Sequence, residues 1–195
     1  MPEKDVDYGR VEGWVEVIVR DREGRVKYHL GAPERAAVGE GEAEGDCPTL
    51  MPPISGMPAK LPEYYWRKNI ITDVGLAAII RLIFSAFTET KFGYLAIGTG
   101  TTAESASDTA LGNEIKRKAA TQTQTTTTVT NDTCLCEATF SSADGLSGTS
   151  NVSEAGIFNA STGGTLLARK TFTAVPINWD AGDTLTIRYY VQMTR

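Results

Sequence analysis

A chain of 195 residues and 21.0 kDa is long enough to bury one proper core, and its 41% hydrophobic and 22% charged residues match an ordinary globular domain. The formal net charge of −5 lacks the basic excess that neutralises phosphates, so nucleic acid is not an expected partner. No apolar stretch near the N-terminus reads as a signal peptide. The most apolar run, Ile70 to Phe87, is broken by Asp73 and Arg81 and is too short to span a bilayer, so no membrane partner is expected either.

The first element begins near Val11. Val15, Val17 and Val19 alternate with Trp14, Glu16 and Ile18, Asp21-Arg22-Glu23-Gly24 supplies a turn, and Arg25 to Leu30 resumes the extended pattern. The spacing predicts a β-hairpin, which makes residues 1–30 part of the main domain. Residues 31–67 interrupt it. This stretch carries Gly39-Glu40-Gly41-Glu42, the lone Cys47 and prolines at 33, 48, 52, 53, 58 and 62, which suit neither a helix nor an inner strand. Two readings fit: a surface excursion, or an arm that docks on a neighbouring subunit. For the second, Leu50, Met51, Ile54, Met57, Leu61, Tyr64, Tyr65 and Trp66 are the candidate assembly contacts.

Residues 68–195 are expected to form a helix plus a β-sandwich core. Over Thr72 to Phe87, Leu76, Ile79, Ile80, Ile83, Phe84 and Phe87 recur at helical spacing, with Thr72 or Asp73 as the cap. This stripe is expected to cover a sheet, with Leu76, Ile80 and Ile83 buried. Gly93 to Gly98 then reads as a strand, and Asp108 to Leu111 as a short helix-prone piece. Further strands are predicted over Glu114 to Thr130, Thr133 to Phe140, Val152 to Asn159, Thr165 to Phe172 and Thr184 to Met193. In the last, Leu185, Ile187, Tyr189, Val191 and Met193 share one face. Turn residues at regular intervals predict a mainly β chain: an antiparallel sandwich or barrel of about six to seven strands with one amphipathic covering helix. The expected core includes Val17, Leu95, Phe140, Ile157, Leu167, Ile187 and Tyr189. The run Thr121 to Thr128, polar on both faces, belongs at a sheet edge or in a sheet shared between subunits.

Chemistry is sparse. Gly98-Thr99-Gly100-Thr101-Thr102 follows a strand but has Ala103 where a dinucleotide fingerprint needs its third glycine, so a glycine-permitted bend is the better account. His29, the single histidine, has no nucleophile signature near it, and Cys134 and Cys136 read as two core-facing residues of one strand. A glycosidase would need two carboxylates fixed across a cleft, for which Glu114, Glu137 and Glu154 are the candidates, each more simply a surface charge. The expectation is a protein that is not an enzyme, with no catalytic residue, no cofactor and no metal.

Three groups of segments carry a resemblance. The first is the hairpin Gly13 to Val26 with Lys68-Asn69-Ile70-Ile71-Thr72-Asp73-Val74-Gly75-Leu76. The second joins Tyr94-Leu95-Ala96-Ile97-Gly98-Thr99-Gly100-Thr101-Thr102 to Ser107 through Glu114. The third runs from Ser153-Glu154-Ala155-Gly156-Ile157-Phe158-Asn159 through Gly164 to Arg169 and closes on Ala181-Gly182-Asp183-Thr184-Leu185. In order and spacing the chain resembles structural proteins of tailed bacteriophages and archaeal viruses that occupy tail-fibre, baseplate, neck or capsid-surface positions. The likeness covers most of residues 11–30 and 68–193, and the long 31–62 insertion departs from it. It implies a virion protein, made in the host cytoplasm, whose partners are copies of itself in a trimer or larger ring and other particle proteins. A fibre-attachment, neck or baseplate component is the first expectation and a capsid decoration protein the second. A carbohydrate-binding module using Trp14, Trp66 or Trp179 as a stacking platform is the alternative of another class.

Overall fold

The computed structural model describes residues 10–31, 69–84, 88–127 and 129–194. Two five-stranded antiparallel sheets form a β-sandwich. Across the first lie β2 (Val26–Leu30), β1 (Arg10–Arg20), β10 (Thr184–Thr194), β7 (Thr133–Phe140) and β6 (Thr121–Thr125). Across the second lie β3 (Ile70–Ile71), β9 (Leu166–Asn178), β8 (Thr149–Phe158), β4 (Tyr94–Gly98) and β5 (Glu114–Ala119), and one helix, α1 (Asp73–Ile83), packs beside β9. The expected class is borne out, with ten strands among the described residues rather than six or seven. One extra strand is the short β3, and another arises where a long extended stretch changes sheets. The single strand expected over 114–130 divides at Ala120, whose amide donates to the Gly93 carbonyl at 2.9 Å, so β5 joins the second sheet and β6 the first.

Alternation decides what is buried. Val15, Val17 and Val19 of β1 and Leu185, Ile187 and Tyr189 of β10 point inward, in register as Val15↔Tyr189, Val17↔Ile187 and Val19↔Leu185. Phe140 of the neighbouring β7 joins them on the same sheet, Leu95 of β4 and Ile157 of β8 meet them from across the sandwich, and burying each such side chain stabilises the fold by about 1.5–3 kcal/mol. Cys136 is buried and Cys134 packs against the same core as free thiols, as two residues on one strand face should. The outer face of the first sheet is polar instead. Arg188 pairs with Glu137 and, at 3.3 Å, with Glu16, and Glu16 also contacts His29 at 2.7 Å.

The outer face of the second sheet carries a small apolar cluster, Ala96, Phe158 and Leu166, closed by Leu111 from the 99–113 loop. That loop is held down by Glu154. Its carboxylate is fully buried and accepts from the amides of Gly100 at 2.8 Å, Gly112 at 2.9 Å and Asn113 at 2.7 Å. Arg169 of β9 adds a bond from Nε at 2.9 Å, and its two terminal nitrogens reach Asp108 at 2.8 Å and the Thr102 carbonyl at 3.0 Å. Glu154 is therefore no surface charge, a correction to the sequence expectation, and its partners leave it no freedom to act as one of a pair of catalytic carboxylates. The glycines of the Gly98-Thr99-Gly100 bend have the same cause. A Cβ on Gly98 would lie 2.5 Å from Glu154 Oε1, and one on Gly100 would overlap the same oxygen. The helix-prone piece at 108–111 forms no helix. Asp108 closes a turn on Ser105 instead, through its amide at 3.0 Å and its carboxylate at 2.9 Å.

Helix α1 starts as expected. Thr72 is its N-cap, accepting from the Gly75 amide at 3.0 Å while its own amide donates to the Leu167 carbonyl at 2.9 Å. The Asp73 amide donates to Ala106 of the loop at 2.8 Å. The fully buried residues of the face turned to the sheet are small, Gly75 and Ala78, with Ile79 half-buried against the core beside them. The predicted burial is inverted: Leu76, Ile80 and Ile83 are 44%, 53% and 60% exposed. Close approach is the reason. A Cβ on Gly75 would lie 2.5 Å from the Leu167 carbonyl oxygen and 2.8 Å from its Cα, so only the Gly75–Ala78 side can sit this near β9.

Two measurements check these contacts. Gly75→Ala should destabilise the protein by about 1–3 kcal/mol in urea unfolding, because overlap with fixed backbone outweighs the ~1 kcal/mol alanine adds to helix propensity. Burial alone would raise the Glu154 carboxyl, but the bonds from Asn113, Gly112, Arg169 and Gly100 outweigh it and hold it below its ordinary 4.5. Such a depressed group stabilises the fold at neutral pH and loses that contribution as the pH falls below 4.5 through its folded value. Glu154→Gln should cost about 3 kcal/mol or more at pH 7 and flatten the loss of stability on acidification, both read from urea midpoints against pH.

Candidate assembly surface

Helix α1 has almost no polar side. Of its eleven residues only Asp73 and Arg81 are charged, and the rest, Val-Gly-Leu-Ala-Ala-Ile-Ile and Leu-Ile, are apolar. A helix apolar all round is normally covered all round. Here one side meets β9 and the other is open, with Val74 37% and Phe84, at the C-cap, 55% exposed beside Leu76, Ile80 and Ile83. Singly exposed apolar residues are common on protein surfaces, whereas a contiguous group of this kind marks an interaction site.

The helix is clamped so that this face cannot turn inward. At its start the Thr72 cap and the Asp73 amide tie it to β9 and to the 99–113 loop. At its end Arg81 Nε pairs with Glu89 Oε2 at 2.7 Å, and the other oxygen of Glu89 accepts from Asn159 Nδ2 at 2.7 Å. The hydrogen bond from Arg81 holds the Glu89 carboxyl below the usual carboxylate range, so the clamp is charged at neutral pH. Between the two ends Gly75 sets the rotation.

A second apolar feature lies where the chain leaves β2 and enters β3. Leu30 and Ile70 line one cleft of about 510 Å³ together with Val15, Val17, Phe172 and the Glu104–Lys170 ion pair. The candidate contacts Leu50, Met51, Ile54, Met57, Leu61, Tyr64, Tyr65 and Trp66 lie outside the described residues, as does the whole 32–68 stretch. The cleft marks where that stretch departs and returns.

Other candidate residues do not converge. Glu114 of the second sheet pairs with Arg117 at 2.5 Å, Glu137 of the first sheet pairs with Arg188 of the same sheet, and Glu154 is buried. No group of three or more His, Cys, Asp or Glu that could hold a metal ion occurs among the described residues. Trp179, one candidate sugar platform, is 1% exposed and spends its indole N–H on Ser150 Oγ at 2.9 Å. Trp14 stacks on Tyr190, ring centroids 5.4 Å apart. Among described residues no helix is long and apolar enough to cross a membrane.

What sequence reasoning missed was the direction of the helix. The stripe was visible, but so was the signal against burying it: Gly75 and Ala78, three residues apart, form a second face made for close approach.

Neither the curated proteins nor the solved structures contain a significant match to the chain. A family model does match, described as Podophage GP4 fiber I protein gp80, over residues 71–190. The matched span begins at the end of β3, takes in α1, the 99–113 loop and the rest of the second sheet, and ends within β10, leaving the N-terminal hairpin outside. It covers more than half of the sequence and includes both the clamped helix and the Glu154 cradle, so the chain belongs to the Podophage GP4 fiber I protein gp80 family, as a tail-associated, fibre-related structural protein of the virion.

Proposed function

We propose that the chain is a fibre-attachment, neck or baseplate component that self-assembles and binds other particle proteins. The observation that carries this reading is the apolar face of α1, clamped outward in a protein of a fibre family. An exposed face of this kind has a free-energy cost in water that a neighbouring chain relieves. The edge of β6, an uncharged Thr-Gln-Thr-Gln-Thr strand that among the described residues pairs only with β7, is a second surface that a neighbour can cover.

Within this reading residues 31–62 are an arm, and Leu50, Met51, Ile54, Met57, Leu61, Tyr64, Tyr65 and Trp66 are its contacts or border them. The proposal is supported by where the stretch attaches. The described residues that flank it, Leu30 before and Ile70 after, line one cleft on the side of the sandwich away from β5 and β6. No catalytic step and no cofactor enters this role.

Light scattering on the purified chain, with and without residues 31–62, tests the arm, and co-sedimentation with purified tails and empty heads tests attachment. An oligomer that shrinks on deletion and binds tails is the expected result. A monomer that binds neither tails nor heads sinks the reading, and binding to heads alone replaces it with capsid decoration.

A further inference from the structure

We infer that Cys134 is a modification site that takes up small-molecule disulfides, with the buried Cys136 as the positioning residue that activates it. The site is independent of the assembly role proposed above.

The two sulfurs are unlike. Cys134 and Cys136 share the inward face of β7, with their Sγ atoms 3.8 Å apart and hydrogen-bonded. Cys136 is 1% exposed, whereas Cys134 is half-buried and is the one a reagent can reach. Behind Cys136, Gln122 Nε2 donates to its sulfur at 3.9 Å and fills an acceptor position there. The Cys136 S–H is then left to donate to Cys134, and the more exposed sulfur is the one that ionises. This hydrogen bond lowers the Cys134 thiol from its ordinary 9.0 to about 7 against the opposing effect of burial. The same bond, with deeper burial, pushes the Cys136 thiol up. Among the described residues, the ladder partners of Cys134 are Val191 of β10 and Gln124 of β6, neither of which titrates. The nearby Asp132 carboxylate accepts from the amides of Thr127 and Val129.

In the exchange the Cys134 thiolate attacks one sulfur of the disulfide. A new S–S bond forms as the old one breaks, Cys134 is oxidised to a mixed disulfide, and the other half leaves as a reduced thiolate that takes a proton from water. Strand geometry stops the reaction there. Residues two apart on a strand hold their Cα atoms roughly 6.6–6.8 Å apart, the upper limit for a disulfide, and side chains standing parallel off one face do not bring their Cβ atoms to the ~3.8 Å a bridge needs. Because β7 is paired on both sides, by β10 and β6, it does not bend to close the gap. Cys136 therefore activates Cys134 without resolving its mixed disulfide. Cytosolic reductants keep thiols free, so a virion protein meets this chemistry when the particle is released.

A lowered pKa has two opposed effects on rate. At pH 7 it raises the thiolate fraction about fifty-fold over an ordinary thiol, and the weaker nucleophilicity of a more acidic thiol offsets about six- to ten-fold of that. The net gain is about fivefold at pH 7. It becomes a loss of about six- to ten-fold at pH 10, where both thiols are ionised.

The test uses the full chain carrying Cys47→Ser, so that the β7 thiols alone can react. Thiolate release from dithiobisnitrobenzoate is followed from about pH 5 to 10, a range that brackets lowered and ordinary thiols. Mass spectrometry after exposure to oxidised glutathione reads the product. One thiol per chain should react, with a rate midpoint near the lowered value of about 7, and glutathione should add one group, on Cys134. Cys136→Ala should move the midpoint up by about one pH unit or more, and its rate curve should cross that of the parent, slower at pH 7 and faster at pH 10. Cys136→Ser keeps a donor and should restore most of the shift, with near-UV circular dichroism from buried Trp179 unchanged. A rate altered by one factor at every pH reports access alone and overturns the inference. So does a midpoint near 9 in the parent, or a folded chain whose thiols do not react. A Cys134–Cys136 bridge in place of the glutathione adduct overturns it as well.

Discussion

Glu154 is an anion placed where water cannot reach it, and much of the second sheet is arranged around that fact. A lone buried carboxylate costs many kcal/mol, so it persists only when nearly every lone pair finds a donor. Three backbone amides and a guanidinium do this here. In meeting them the 99–113 loop is drawn flat over the sheet, Leu111 closes the outer apolar cluster, and Ala106 comes within reach of the first turn of α1. The loop has little regular structure of its own, yet it is fixed as firmly as a strand.

Such a device specifies more than it stabilises. Replacing a buried ion pair by apolar groups is often neutral or favourable, so its value lies in excluding other arrangements. A loop with any other path would leave Glu154 and Arg169 facing each other without the amides of Gly100, Gly112 and Asn113, and an incomplete set is worse than none. The glycines at 98 and 100 belong to the same constraint, because the carboxylate occupies the space a side chain would take. From this fixed loop the order continues into α1, whose start is tied to Ala106 and whose rotation is set by Gly75 against Leu167.

Strand alternation made the first sheet readable in advance. β1, β7 and β10 each show a period of two, and Val17, Phe140, Ile187 and Tyr189 are buried as that period requires. A sheet of one buried and one polar face leaves no ambiguity about side. The helix was legible as a helix but not in its orientation, since periodicity reports that one face is apolar and is silent on what covers it. The Glu154 cradle was not legible at all. Its donors lie between 15 and 54 residues away in sequence, and no local pattern marks a glutamate in a strand as the centre of a loop. The division at Ala120 was hidden for a related reason, because β5 and β6 are both extended and differ only in the sheet they join.

The cleft between β2 and β3 separates two ends that are already held. Leu30 pairs with Val17 and the Asn69 amide donates to the Gly13 carbonyl, so both ends rest on the same edge of β1, four positions apart, or roughly 14 Å. A chain segment closing that span adds only about 0.6 kcal/mol for each doubling of its length. The position is thus a grafting point. Peptide of almost any length and composition can be exchanged there while β1, β9 and the core stay as they are, so one scaffold can be refitted to successive neighbours without being refolded.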